Sequence, residues 1–399
     1  MRQQFALFLA ALAITMAGQA RAADSYCVQC HEEEAKLEKG AVHSKENVTC
    51  VDCHGGDPTE EDKEAAKAPG TGYKGKIPKT GVPELCGDCH SDVRKMNPYG
   101  LPTDQLDQYR YSHHGEALMQ DGDTSVAACA DCHGAHGILP PDKPESRVFP
   151  KNIAATCGEC HADGDRMSAH GLDADQVELY KQSIHAKMLY EEGDLSAPTC
   201  VTCHGNHSAV PPGFRDVGLV CGKCHVNQKE YFHQGPHAEP AAEGDFDECV
   251  TCHRNHKVEE ASLRLFGTCK LCHDRDSEGF ARARDTYTLL KETREEYETT
   301  EETLEDAARS GFETEDEQVL MADARTWLLR LEPMQHALDM EELKETAGKV
   351  DDLTGEVKQR IKDKKQEIKT RKFAMIPVSA FLVFMSVFFW LKSRQLDKK

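Results

Sequence analysis

Aromatic side chains are scarce in this chain of 399 residues, at 7% of the total. Mean hydropathy is low as well, at −0.61. That leaves too little apolar side-chain surface for a conventional core of this length, so another material has to fill the interior. Basic residues are outnumbered: 48 Lys and Arg stand against 69 Asp and Glu, a formal net charge of −21. Such an excess of acid argues against a nucleic-acid partner. It leaves two uses for the acidic surface, solubility and the steering of a basic protein. No glycine-rich phosphate loop occurs, which argues against nucleotide binding. No cysteine is spare for nucleophilic hydrolysis either, because all 18 belong to one recurring pattern.

That pattern is Cys-x-x-Cys-His, present nine times. Its cysteine pairs are Cys27 and Cys30, Cys50 and Cys53, Cys86 and Cys89, Cys129 and Cys132, Cys157 and Cys160, Cys200 and Cys203, Cys221 and Cys224, Cys249 and Cys252, and Cys269 and Cys272. The histidines that follow are His31, His54, His90, His133, His161, His204, His225, His253 and His273. This is the attachment signature of c-type haem. Two thiols add across the vinyl groups of one porphyrin, and the adjacent imidazole falls under the iron as proximal ligand. Zinc sites use Cys-x-x-Cys pairs too, but do not require a histidine after every second cysteine. A disulfide framework explains neither the fixed spacing nor the histidines. The sequence therefore predicts nine covalently bound c-type haems. Porphyrins then supply the missing apolar interior, and the expected fold is mainly α with extensive loops, the haems forming the core.

The two ends indicate where such a protein works. Arg2, the apolar stretch Phe5 to Met16 and the small-residue Ala20-Arg21-Ala22 read as a signal peptide over residues 1–22. The apolar stretch is short for a membrane anchor, and export fits haem attachment outside the cytoplasm. At the other end, residues 373–391 carry no charge over 19 positions, close to the ~20 that cross a bilayer. Lys392, Arg394, Lys398 and Lys399 follow, so residues 392–399 read as a cytoplasmic tail. Lys369, Arg371 and Lys372 on the near flank blur that orientation, and the export signal decides it. A buried soluble helix is the competing reading, but Phe381, Phe384, Phe388, Phe389 and Trp390 leave no polar face. The expected location is the periplasmic side of the inner membrane, with a single C-terminal span.

Between these ends, residues 23–279 form the expected haem domain, and it repeats in units of two haems. The stretch from Cys86 aligns with that from Cys157 at Met96/Met167, Gly100/Gly171, Asp104/Asp175, Gln105/Gln176 and Tyr109/Tyr180. Shortened units start at Cys27 and Cys221. Duplication of a module sorts the remaining histidines. His43, His114, His185 and His237 lie between the two motifs of a unit, and His136, His207 and His256 sit three residues after a proximal histidine. These seven are the candidate distal ligands, each for a haem other than its sequence neighbour's. Adding His170 and His336 makes nine. His113 beside His114, and His233 before His237, are the spares. The first unit departs from the others, with Asp57 where later units have histidine.

After His273 the composition changes. Residues 280–372 hold no cysteine and one histidine. Ala283, Leu290, Tyr297 and Leu304 recur every seven positions, as on a coiled-coil helix. Thr314 and Glu317 suit a capping box for a second helix with Leu320, Ala324, Trp327, Leu331, Met334 and Leu338 along it, and Pro333 predicts a kink near His336. A third helix carries Val350, Leu353, Val357, Ile361 and Ile368. Three roles are open: a helical stalk or hairpin that holds the haem domain off the bilayer, a homo-oligomer surface, or delivery of His336 to the last haem. Thr59 to Pro83 reads as a solvent-exposed linker.

On these motifs the chain resembles a periplasmic multihaem cytochrome c over roughly residues 24 to 275. Its Tyr-x-x-Ser-x-His module, followed by Cys-x-x-Cys-His-Gly-x-His, is similar to that of respiratory multihaem cytochromes. More distantly it resembles the octahaem hydroxylamine oxidoreductase and reductase superfamily. The long helices after the last haem resemble those of pentahaem nitrite reductases and octahaem enzymes. Those nitrite reductases mark the catalytic haem with Cys-x-x-Cys-Lys, which is missing here, and the count of nine matches neither group. The resemblance implies bis-histidine haems of low potential and a place in anaerobic respiration. The expected partners are a quinol-oxidising membrane complex as electron donor and periplasmic or outer-membrane redox proteins as acceptors. The alternative is a reductase of nitrite, hydroxylamine or a sulfur oxyanion at one five-coordinate haem, sought first in the opening unit.

Overall fold

The computed structural model describes residues 25–210, 217–259 and 267–396. The expected signal peptide at 1–22 and the last three residues of the expected cytoplasmic tail lie outside the described residues. Every regular element among the described residues is α or 3₁₀ helix, so the fold is mainly α with long irregular connections. The chain divides into two compact units, one of residues 25–210 with 253–259, the other of residues 217–252 with 267–396.

The first unit is a series of helices mostly four to nine residues long. Isolated helices of that length are unstable in water, since nucleation is barely repaid before the helix ends. Side-chain caps hold them. Thr49, Ala128 and Thr199 each donate their backbone N–H to the side chain three residues on, Asp52, Asp131 and Thr202, at 2.6, 2.7 and 3.0 Å. These contacts open the motif helices Cys50–His54, Cys129–His133 and Cys200–His204. Fully apolar packing is thin: two small clusters form around Tyr109, Leu118 and Ala128, and around Ala154, Val177, Tyr180 and Ala186. The repeat is visible here, because Tyr109 and Tyr180 take the same place in the two clusters.

The stretch expected as a plain linker is folded onto the second motif. Gly56 N–H bonds to Thr71 O at 3.1 Å, Asp57 N–H to Ala66 O at 2.9 Å and Lys74 N–H to His54 O at 2.8 Å. Gly55 makes this possible: its φ is +65°, and a Cβ there would stand 2.1 Å from the Gly72 carbonyl oxygen. Only glycine fits such an approach.

The second unit contains three long helices, Glu278–Arg309, Glu315–Met334 and Met340–Leu396, packed on one another. Tyr297 and Leu304 of the sevenfold stripe are buried. Thr286, Thr293, Thr300 and Ala307 are buried three residues after each stripe position, completing the seam of a coiled coil. The Thr300 hydroxyl satisfies itself on Glu296 O at 2.7 Å. Opposite lie Met321, Ala324, Leu328 and Leu331, then Leu343, Ala347, Val350, Val357 and Ile361.

Two local expectations change. Thr314 makes no side-chain cap. Glu317 is 1% exposed and takes Lys364 Nζ at 2.6 Å instead of capping. Pro333 does not kink a continuing helix: the helix ends at Met334, and the 3₁₀ turn Gln335–Ala337 and Leu338 at φ +52° reverse the chain. Beyond Lys364 the third helix leaves the packed region, with Phe381, Phe384, Phe388 and Trp390 all exposed. Among the described residues it is the one helix long and apolar enough to cross a membrane.

Candidate haem-ligating centres

None of the 18 cysteines is in a disulfide. Among the described residues, no three His, Cys, Asp or Glu side chains converge as a zinc site requires. The first cysteines of the two motifs in a unit instead lie together: Cys86 beside Cys129, Cys157 beside Cys200, Cys221 beside Cys249.

The histidines are arranged in pairs. His43 faces His90 with ring centroids 6.1 Å apart, His54 faces His136 at 6.2 Å, and His114 faces His161 at 6.1 Å. His133 faces His207 at 6.0 Å, His204 faces His256 at 5.8 Å, and His237 faces His273 at 6.0 Å. Two imidazoles bound to one metal from opposite sides hold their centroids about 6 Å apart, given a metal–nitrogen bond of about 2 Å and about 1 Å from nitrogen to ring centre. Each pair joins one proximal histidine to one of the candidate distal histidines. Burial, with help from neighbouring imidazoles, holds His90, His114, His133, His161, His237 and His256 below the ordinary histidine pKa, and burial alone does the same for His207. The neutral ring, which is the ligating form, is thereby favoured.

The pairs follow two rules. A histidine between the motifs of a unit reaches forward to the first motif of the next unit, or in the last unit to the closing motif: His43 to His90, His114 to His161, His237 to His273. A histidine after the second motif reaches back to the second motif of the preceding unit: His136 to His54, His207 to His133, His256 to His204. The ring planes sort the same way. Forward pairs are tilted by 54°, 54° and 59°, whereas backward pairs are nearly parallel at 18°, 12° and 11°.

Short-range chemistry sets these positions. Ser112 Oγ accepts the Gly115 N–H at 3.0 Å and caps His113–Met119. Ser183 Oγ accepts the Ala186 N–H at 3.1 Å and caps Ile184–Tyr190. Both caps place the histidine at the second helical position, His114 and His185. The hydroxyls of Tyr109 and Tyr180, on the preceding helices Gln105–Arg110 and Gln176–Lys181, donate to Ala127 O at 2.8 Å and Pro198 O at 2.9 Å, pinning those helices to the chain two residues before the next motif. His113, one position earlier, is exposed. Proximal rings are oriented from behind: His54 Nδ1 lies 3.1 Å from Gly75 O, His204 Nδ1 3.2 Å from Val210 O, and His253 Nδ1 3.5 Å from Glu259 O. A carbonyl only accepts, so Nδ1 carries the proton and Nε2 keeps its lone pair for a metal. These carbonyls carry no side-chain signature, which is why sequence reasoning passes over them. The two serines were legible in the repeat.

The other expected ligands sit as follows. His170 Nε2 meets Ser125 Oγ at 3.0 Å and lies 3.8 Å from Asp123, and no proximal ring faces it among the described residues. The Asp123–Ser125 turn of the preceding two-haem unit holds it. His336 is in the turn Gln335–Ala337, which packs on the helix Val226–Gln234, and its Nδ1 lies 2.9 Å from Pro333 O. His225 stands at the N-cap position of that same helix. His233 Nε2 lies 3.7 Å from Glu248.

A c-type haem fits these residues: paired thiols, an imidazole behind them, and a second imidazole at the right distance. Gln105 and Gln176 add an independent observation. They occupy the same position in the two units, and each buries a side-chain oxygen without a hydrogen-bond partner among the described residues. A buried polar atom left alone twice, at one repeat position, marks a partner that protein atoms do not supply.

Residues 42–162 match the family model described as cytochrome c3. That stretch is under a third of the chain and contains four of the nine motifs. It supports a multihaem cytochrome c carrying covalently bound c-type haem iron, and electron transfer as its work. No curated protein and no solved structure matches the chain.

Proposed function

We propose that this chain is a membrane-anchored multihaem c-type cytochrome on the periplasmic side of the inner membrane. It carries electrons from a quinol-oxidising membrane complex to periplasmic or outer-membrane redox proteins in anaerobic respiration. The single observation that carries this reading is the set of six imidazole pairs 5.8 to 6.2 Å apart. Bound haem supplies a one-electron iron couple. The protein's part is to hold each group by two thioether bonds and, at the paired centres, by two imidazoles. It thereby limits rearrangement when charge changes and keeps substrate off the paired centres.

In this reading each Cys-x-x-Cys-His attaches one haem, nine in all. The six histidines paired with proximal rings are distal ligands, and His185 joins them by repeat position. Residues 280–372 are the stalk, 373–391 the span and 392–399 the cytoplasmic end. One span offers no quinone site of its own, so the quinol chemistry belongs to a partner. Intact-mass and haem-content measurements on the detergent-solubilised chain test this. Nine covalent haems with at least six low-spin bis-imidazole centres are expected. A chain that carries zinc, or no covalent haem, sinks the reading.

A second reading, reduction of nitrite, hydroxylamine or a sulfur oxyanion at one five-coordinate haem, is favoured by one residue, His31.

A further inference from the structure

All 20 histidines of the chain lie within the described residues. His31 can therefore be compared with every one of them, and no imidazole ring faces it. Its nearest charged neighbour is Glu34, whose carboxylate lies 3.8 Å from Nδ1, and its side chain is 53% exposed. The pairing rules explain the exception. A first motif receives its second imidazole from the unit before, as His90 receives His43 and His161 receives His114. Residues 1–30 contain no histidine, so the stretch ahead of the opening motif supplies no forward-reaching ring.

The histidines without a place in the pairing scheme do not fill the gap. His170 is held by Ser125 and Asp123, and His233 lies beside Glu248. His113 is turned to solvent. Asp57, which stands where later units have a backward-reaching histidine, is committed elsewhere. Its Oδ1 accepts both the backbone N–H and the hydroxyl of Thr59, at 2.9 and 2.6 Å.

We propose that the haem held by Cys27, Cys30 and His31 keeps an open sixth position and binds a small exogenous ligand, a diatomic gas or a small anion such as nitrite. This rests on the reading of the motifs as haem attachment sites. The array then contains one ligand-binding centre at its N-terminal end among centres closed by histidine pairs.

The test uses the full-length chain in detergent, with carbon monoxide as probe. Covalent haem is counted first by intact mass, so absence of haem at the first motif fails the functional reading rather than this inference. The reduced protein should bind one carbon monoxide per chain, and the oxidised protein should show one high-spin signal in EPR. The variant Cys27→Ala/Cys30→Ala should lose both while the low-spin signals persist. If that variant does not accumulate, His31→Met keeps both thioether bonds, and should shift the carbon monoxide difference spectrum. No carbon monoxide binding, an entirely low-spin spectrum, or a methionine–iron charge-transfer band in the wild type would overturn the proposal. So would binding that survives the double substitution, or more than one carbon monoxide per chain.

Discussion

At the scale of single residues, the two histidine classes differ in ring orientation as well as in position. Nearly parallel imidazoles and imidazoles tilted by 54 to 59° split the iron d orbitals differently. The oxidised protein should therefore give two families of low-spin EPR signals. His136→Ala should remove intensity from the near-parallel family and His43→Ala from the tilted one, each adding one carbon monoxide per chain. The same substitutions leaving both families unchanged would break the pairing scheme. Ser112 acts one step back, because its hydroxyl caps the helix that presents His114 and is 1% exposed. Ser112→Ala should cost about 1 kcal/mol, the usual loss for an N-cap, read as a lower denaturation midpoint with the haem count unchanged. The class of each of the six paired candidates was legible from the repeat. His170 was not, since its engagement by Ser125 depends on a contact across 45 positions of chain.

At the scale of elements, the three long helices are held by a conventional seam that also buries one ion pair. Glu317 is 1% exposed against Lys364 at 35%. Lys364→Met leaves a buried carboxylate unpaired and should destabilise the bundle by about 2–3 kcal/mol, measured by denaturant unfolding. Asp351 tests pH linkage. Burial first, then the charges of Glu296, Asp352 and Glu292, raise its pKa in the folded chain above 3.8. Folding favours the protonated form, so its contribution is fully present below pH 3.8 and is lost as pH rises through the raised value. Asp351→Asn should therefore raise Tm near neutral pH and leave it unchanged below pH 3.8. An equal gain at both would rule out ionisation as the cause. Periodicity announced Tyr297 and Leu304, but not the threonines between them. Thr286, Thr293 and Thr300 read as polar yet are buried; the Thr300 hydroxyl bonds to its own helix at Glu296 O and the Thr286 hydroxyl donates to Met340 Sδ of the third helix, so neither is left unsatisfied inside.

At the scale of the whole molecule, the first unit has little side-chain core while the helices of the second pack a large one. Each imidazole pair in the first unit clips together segments far apart in sequence, residues 54 and 136 for instance. Truncation before Phe373 should move the protein from the membrane to the soluble fraction with its haem content unchanged, measured by fractionation and haem staining. Retention in the membrane would mean that the apolar helix is not the anchor. The sequence by itself determined the chemistry: thiol spacing, the histidine after each pair, the repeat that singles out the distal candidates, and the uncharged helix near the end. These are local, because a bond length or a helical period needs only neighbouring residues. The tertiary structure alone decided which imidazole faces which, at what tilt, and that His31 faces none. Pairing joins units of the array to one another, and the spatial order of those units is set by packing that no single stretch of sequence contains.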